Sequence, residues 1–262
     1  MNSPRFYCPE ALASGENLAL PDDAARHAVR ALRLRVGDSL CLFDGAGGEY
    51  AARIVSIDRA HVRVEVGAHL ADERESPLAI TLVQALQSGD KMDLTVQKAV
   101  ELGVARIQPV LSRRSVVRLD GERAARRVEH WRGVVASACE QCGRNRLPAV
   151  DELHGLERWL AQPAAAGVRR LMLAPGAAHT LASLPAPQVG ERIELLIGAE
   201  GGLAPEEMRA ATLAGFVGVR LGPRVLRTET AGLAALAAMQ CLWGDFMYST
   251  PAPSPKLATG HV

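Results

Sequence analysis

From residue 78 onward, short continuous apolar runs alternate with amphipathic segments, and this pattern constrains the fold more than any other feature of the chain. "LAITLVQAL" (78–86), "ARIQPVLS" (105–112), "RRLMLAPG" (169–176), "RIELLIGAE" (192–200) and "FVGVRLG" (216–222) are the strand candidates. Runs of this kind suit strands covered on both faces, whereas a half-wet strand alternates. Helical patterns lie between them. "DKMDLTVQKAVELG" sets Met92, Val96, Ala99 and Val100 at helical spacing and stops at Gly103. A basic segment over 122–142, "PEEMRAATLAG" with Pro205 at its start, and a final run over 228–246 are the other helix candidates. This alternation predicts an α/β domain with a mainly parallel sheet.

Residues 1–72 read differently. "SLCLFDG", "EYAARIVSI" and "HVRVEVGAHL" are rich in β-branched residues and separated by Gly or Asp turns, which predicts a small β unit. A helix precedes them in "PDDAARHAVRALRL", with Pro21 in its first turn and Asp22 and Asp23 at the positive end of its dipole. "ADERESP" (71–77) reads as a linker. The expected division is therefore a first domain over 1–72, a second over 73–248, and a tail over 249–262 whose Pro, Ser and Ala content predicts disorder.

With 262 residues, 48% of them hydrophobic, the chain has enough apolar mass for such a core. No apolar run approaches the roughly 18 residues of a membrane span, and the start lacks a signal-peptide pattern. The five cysteines show no disulfide framework, so the expected setting is the reducing cytoplasm, with no membrane partner. Formal charge is only +1, so any affinity for nucleic acid must come from local clusters. Two clusters stand out. Arg26, Arg30 and Arg33 fall at i, i+4 and i+7 of the first helix, in a stretch that holds four arginines up to Arg35 and no acid. Between Arg113 and Arg146 there are nine arginines and four acids. Arginine suits bidentate contact with phosphate, so both clusters point to RNA or DNA.

Two motifs carry less than they promise. "FDGAGGEY" has Gly45 and Gly47 in dinucleotide-loop positions, but Tyr50 stands where the last glycine is needed, and a hairpin turn is the better reading. "CEQC" places Cys139 and Cys142 on neighbouring helical positions, and with no second pair no metal site is expected. No nucleophile motif and no Walker lysine appear, which disfavours hydrolases and triphosphatases.

The informative loops are "LLIGAEGGLAPEE" and "VRLGPRVLRTETAG". In an open α/β sheet, ligands bind at the carboxyl ends of strands, and glycine lets backbone approach them. Two adjacent glycine-bearing strand ends make a pocket suited to a flat polar ligand such as an adenosine. Thr228 and Thr230 are placed to cap the last helix, and Glu229 suits its positive end. Arg227 opposes that dipole, so it requires a bound group or a carboxylate partner.

These two loops resemble the signature of the SPOUT methyltransferases and, more closely, of the bacterial 16S ribosomal RNA uracil-N3 methyltransferase family. "RHAVRALRLRVGD", "KMDLTVQKAVELGV" and "ACEQCGRNRLP" match that family in the same order, so the likeness spans about residues 3 to 246. The resemblance implies a PUA-like β-barrel followed by an α/β domain with a deep C-terminal trefoil knot, usually working as a homodimer on small-subunit rRNA. It implies S-adenosylmethionine as methyl donor, held by Leu173 and Ala174, by Ile197, Gly198, Ala199, Glu200, Gly201 and Gly202, and by Leu221, Gly222, Leu226, Arg227 and Thr228. Arg227, Glu229 and Glu200 become the candidates for catalysis, with the proton acceptor left open among Glu200, Glu229 and water. Arg144, with Arg26, Arg30 and Arg33, becomes a candidate RNA contact. Two departures from the family's pattern are Ala199, where proline is common, and the lack of a basic residue near Ser88, where one is often found. The rival readings are a non-catalytic RNA-binding assembly factor for the ribosome and a SPOUT methyltransferase acting on another RNA.

Overall fold

A computed structural model describes residues 3–59, 61–163 and 165–247; the predicted tail lies outside them. Two sheets organise the chain. The first contains β1 (Arg5–Tyr7), β2 (Asn17–Ala19), β3 (Ser39–Phe43), β4 (Glu49–Asp58) and β5 (His61–Leu70), in the order β1-β3-β4-β5-β2. β3 and β4 are antiparallel neighbours, so "FDGAGGEY" is the hairpin connection expected, with positive φ at Gly45, Gly47 and Gly48. Alternation along β5 buries Val62, Val64 and Val66 against Phe6, Leu40, Leu42 and Ile54.

The helix over this sheet is shorter than predicted. α1 covers only Asp22–Arg26, with Pro21 as its N-cap residue rather than in its first turn. A π-helical turn follows over His27–Ala31, and Arg33 takes a left-handed φ of 56°. The wider π turn breaks the i, i+4, i+7 register. Arg26, Arg30 and Arg33 are all exposed, but they do not share the regular helical face expected of them. Ala24, Ala25 and Ala28 still pack on the β core.

The second sheet has eight strands. Its elements in chain order are β6 (Ala79–Ala85), α2 (Lys91–Glu101), β7 (Arg106–Leu111), α3 (Gly121–Cys142), β8 (Ala149–Val150), β9 (His154–Gly155), α4 (Leu156–Leu160), β10 (Val168–Leu173), β11 (His179–Thr180), β12 (Arg192–Ile197), α5 (Pro205–Leu213), β13 (Val217–Arg220) and α6 (Thr228–Leu242). The strand order is β11-β13-β10-β12-β6-β7-β8, with β9 also on β7, and every pairing is parallel. All carboxyl ends therefore lie along one edge. Both faces are covered, which explains the continuous apolar runs. Ile80, Leu82, Ile193 and Leu195 pack with α2, α3 and α6; Val83, Ala85 and Leu196 pack with α4 and α5.

The linker is clamped. Asn145 Nδ2 donates to Asp72 O at 2.6 Å, Arg74 Nη1 donates to Gly143 O at 3.0 Å, and Arg146 pairs with Glu73 at 3.1 Å. Arg144 lies at the centre and is 6% exposed. Its Nε donates to Glu75 at 2.9 Å, and its Nη1 donates to the carbonyls of Val100 at 3.0 Å and Val104 at 2.8 Å. This corrects the expectation that Arg144 meets RNA: its donors are spent inside the protein, where they join the linker to the end of α3 and the end of α2.

The second basic cluster dissolves in the same way. Seven of its nine arginines have a carboxylate partner: Arg113 with Glu157, Arg123 with Asp120, Arg126 with Glu122, Arg127 with Asp93, Arg132 with Glu129, Arg144 with Glu75 and Arg146 with Glu73. Several are i, i+3 or i, i+4 pairs along α3, which add little stability but cancel the local field. The sequence count of five excess charges missed partners supplied from outside the stretch.

Candidate active site

β13, β10 and β12 are neighbours, and their carboxyl ends open onto one cavity of about 400 Å3. Leu173 and Ala174 come from the end of β10, residues 197–203 from the end of β12 and the loop after it, and residues 219–222 with 224–226 from the end of β13 and the loop after it. Of the thirteen positions assigned to the donor from sequence, twelve line this cavity; Arg227 does not. A larger cleft of about 780 Å3 lies where the first sheet meets α3, but its Arg5 and Arg74 are already bound to Glu49.

Local backbone chemistry shapes the cavity. The loop after β12 closes by a hydrogen bond from Gly202 N to Ala199 O at 2.8 Å, so the turn forms without the family's proline. Gly198 faces the other limb of this turn, where an added Cβ would lie 2.7 Å from Gly202 C and 2.8 Å from Leu203 N. Gly202 and Gly222 both have φ of +70°, and a Cβ on either would meet no protein atom within 4 Å. The cradle is thus open where a ligand would lie against backbone.

Thr228 is not the helix cap expected. Arg227 occupies the N-cap position and makes no side-chain cap bond. Thr228 is buried, and its Oγ1 donates to Gly198 O while accepting from Gln84 Nε2 at 3.2 Å and Gln87 Nε2 at 3.4 Å. Thr95 Oγ1 in turn donates to Gln87 Oε1 at 2.9 Å. A buried polar chain from α2 to α6 therefore ties the two glycine loops together. Sequence reasoning missed Gln84 and Gln87; two glutamines at the end of an apolar strand are the signal that marks them. Arg227 is exposed and has no carboxylate partner among the described residues, so the ion pair considered for it is not formed there.

The two glutamates differ. Glu200 Oε1 accepts from Ser88 N at 2.8 Å and Ser88 Oγ at 2.7 Å, with Lys91 Nζ at 3.6 Å. Burial pushes its pKa up, but the bonds from Ser88 and the nearby Lys91 outweigh burial and hold it below the usual carboxylate range. These bonds favour the ionised form, so their stabilisation is full above the usual carboxylate range and is lost as pH falls through the lowered value. Ser88 thus holds the loop glutamate. Glu229 has one oxygen 4.0 Å from Lys91, while its Oε2 is buried with no hydrogen-bond partner among the described residues.

Cys139 and Cys142 are free, one turn apart on α3. Burial pushes Cys139 up to about 12, opposite to the lowering that activates redox thiols. Among the described residues no group of three or more His, Cys, Asp or Glu is arranged to hold a metal. No helix there is long and apolar enough to cross a membrane.

This fold and cavity define a class. Residues 74–240 match the RNA methyltransferase domain family, and residues 20–67 match the RNA methyltransferase PUA domain family. A crystal structure of the ribosomal RNA small subunit methyltransferase E from Neisseria gonorrhoeae bound to S-adenosyl methionine is 43% identical, with a TM-score of 0.86, and covers 94% of this chain and 100% of that one. A Legionella pneumophila protein solved in complex with bound S-adenosylmethionine is 36% identical, with a TM-score of 0.88 and the same coverage. The ribosomal RNA small subunit methyltransferase E of Mycobacterium tuberculosis is 34% identical over 240 residues, or 90% of this chain and 91% of that protein. The chain belongs to the ribosomal RNA small subunit methyltransferase E family.

Proposed function

We propose that the protein transfers a methyl group from S-adenosylmethionine to N3 of a uridine in the 16S rRNA of the small ribosomal subunit. The observation that carries this reading is the single cavity formed by the ends of β10, β12 and β13, in a chain 43% identical to a protein crystallised with that donor. Backbone at 198–202 and 221–222 would hold the donor, with Leu173, Ala174 and Leu226 as apolar walls. The bound donor supplies an electrophilic methyl and a positive charge that favours the anionic base.

The chain's own residues must do the rest. N3 of a neutral uracil is a poor nucleophile, so its proton has to leave. Glu200 is a weak acceptor, because its ionised form is held by Ser88 and Lys91. Glu229, whose Oε2 has no hydrogen-bond partner among the described residues, and a water are the other acceptors. Arg227, without a carboxylate partner among the described residues and at the start of α6 beside the cavity, would stabilise charge on the uracil oxygens. Close, aligned approach provides much of the remaining acceleration.

Several finer features belong to the same reading: domains over 1–72 and 73–248, a homodimer, and action in the cytoplasm. The trefoil knot is supported by the path of the chain. β13 pairs on the far side of β10, yet α6 returns to pack against α2 beside β6, and Thr228 bonds to Gly198 on the way. The homodimer draws support from Leu242, Phe246 and Met247, large apolar side chains exposed at and just beyond the end of α6.

The reading is tested by mass spectrometry of small-subunit rRNA from cells lacking this protein. One 3-methyluridine is expected to be lost, and restored by the purified protein with S-adenosylmethionine. An unchanged nucleoside profile, with no binding of the donor, would favour the non-catalytic assembly factor instead. Removing Arg30 and Arg33 together is expected to weaken RNA binding and to lower the slope of log K against log salt by about two. An unchanged slope would make these two arginines plain solvated side chains.

A further inference from the structure

The cavity carries more positive charge than its donor explains. Arg114, Arg220 and Arg224 line it, with Glu200 as the one acid among the lining residues. S-adenosylmethionine is itself net cationic at neutral pH, so a rim of arginines works against it. The surplus points to a second, anionic ligand at the same mouth.

Two of these arginines are unusual in their company. Arg220 turns inward and donates to Ala177 O and Ala178 O. Arg114 belongs to the basic stretch in which seven arginines are paired, yet it has no carboxylate partner among the described residues. Its Nη1 donates to Gly201 O at 2.7 Å, and its stem packs on Gly201, where an added Cβ would sit 3.3 Å from it. This fixes the guanidinium at the cavity edge and leaves its other donors available. Arg224 reaches the same cavity from a different element, the loop between β13 and α6. It is exposed and also has no carboxylate partner among the described residues. The neighbouring Val225 is 79% exposed, so this loop presents itself outward rather than packing.

We propose that Arg114 and Arg224 form a clamp for the phosphodiester that flanks the nucleotide being methylated. The proposal deepens the methyltransferase reading and depends on it. Guanidinium groups on two separate loops suit the bidentate grip on phosphate oxygens that arginine makes. Held by its backbone at the cavity mouth, a nucleotide drawn out of its stack would present its base edge inward to the donor. Both are positioning residues for the RNA, contributing orientation rather than chemistry.

The test uses the full chain, S-adenosylmethionine, and small-subunit rRNA from cells lacking the protein. Arg224→Gln is expected to raise KM for RNA by about tenfold and to lower the salt slope of RNA binding by about one. Calorimetric affinity for S-adenosylmethionine should be retained. Arg224→Lys, which keeps the charge, should restore the salt slope and part of KM; Arg114→Gln with Arg224→Gln should lower the slope further. An Arg224→Gln protein with the parent's KM for RNA and salt slope would overturn the clamp while leaving the enzyme reading intact. Loss of donor affinity in that variant would also overturn it, by making Arg224 part of the cofactor pocket. A parent protein that neither binds the donor nor methylates rRNA would sink the enzyme reading, and the clamp with it.

Discussion

Arg144→Ala is expected to destabilise the protein by about 3–5 kcal/mol, the usual cost of breaking a buried pair from one side. The side chain is 7% exposed and its partner Glu75 20%, so water compensates little of the loss. Three groups lose donors at once: the Glu75 carboxylate and the carbonyls of Val100 and Val104. Glu75 would keep only the bond from Arg146 N, at 3.2 Å. The loss reaches the linker directly, because Glu75 belongs to it, whereas the bond from Arg5 Nη2 to the backbone carbonyl of Arg144 would survive. Thermal or urea denaturation followed by circular dichroism measures the effect. Arg144→Lys should fall between parent and alanine, since it keeps the charge but not the fork. A parent-like midpoint for Arg144→Ala, together with weaker RNA binding, would return Arg144 to the RNA surface.

Gly198→Ala is expected to lower affinity for S-adenosylmethionine by tenfold to a hundredfold, from a distortion of about 1–3 kcal/mol. The methyl group would meet backbone, Gly202 C at 2.7 Å and Leu203 N at 2.8 Å, and backbone has no rotamer to yield. The turn would have to open, which breaks the bond from Gly202 N to Ala199 O and shifts the carbonyl that Thr228 holds. Both glycine loops would move together. Titration calorimetry reads the change, and parent-like donor affinity in a folded Gly198→Ala protein would mean that the loop is not shaped for this ligand.

The parallel sheet was legible because burial on both faces leaves a simple trace, the unbroken apolar runs from 78 to 222. The cavity was legible for a related reason: glycines such as Gly198 and Gly222 stand directly after those runs, where strand ends converge. Pairing between distant residues left no such trace. Arg144 lies in a run of arginines that reads as a phosphate surface, and only the fold brings Glu75, from 69 residues away, against it. Thr228 carries the cap signature of its residue type, yet the hydroxyl serves a loop 30 residues earlier. The π turn at His27–Ala31 has no sequence rule that separates it from an ordinary helix. Short strands such as β1, β8 and β11, of two or three residues, fall below the length at which periodicity speaks.

The most direct measurement is a crystal structure of this chain grown with S-adenosylmethionine. Density for the donor is expected against backbone at 198–202 and 221–222, between Leu173 and Leu226, with the methyl directed toward the side where Arg114 and Arg224 stand. Density in the larger cleft beside Arg5 and Glu49, or none anywhere at saturating donor, would contradict the account.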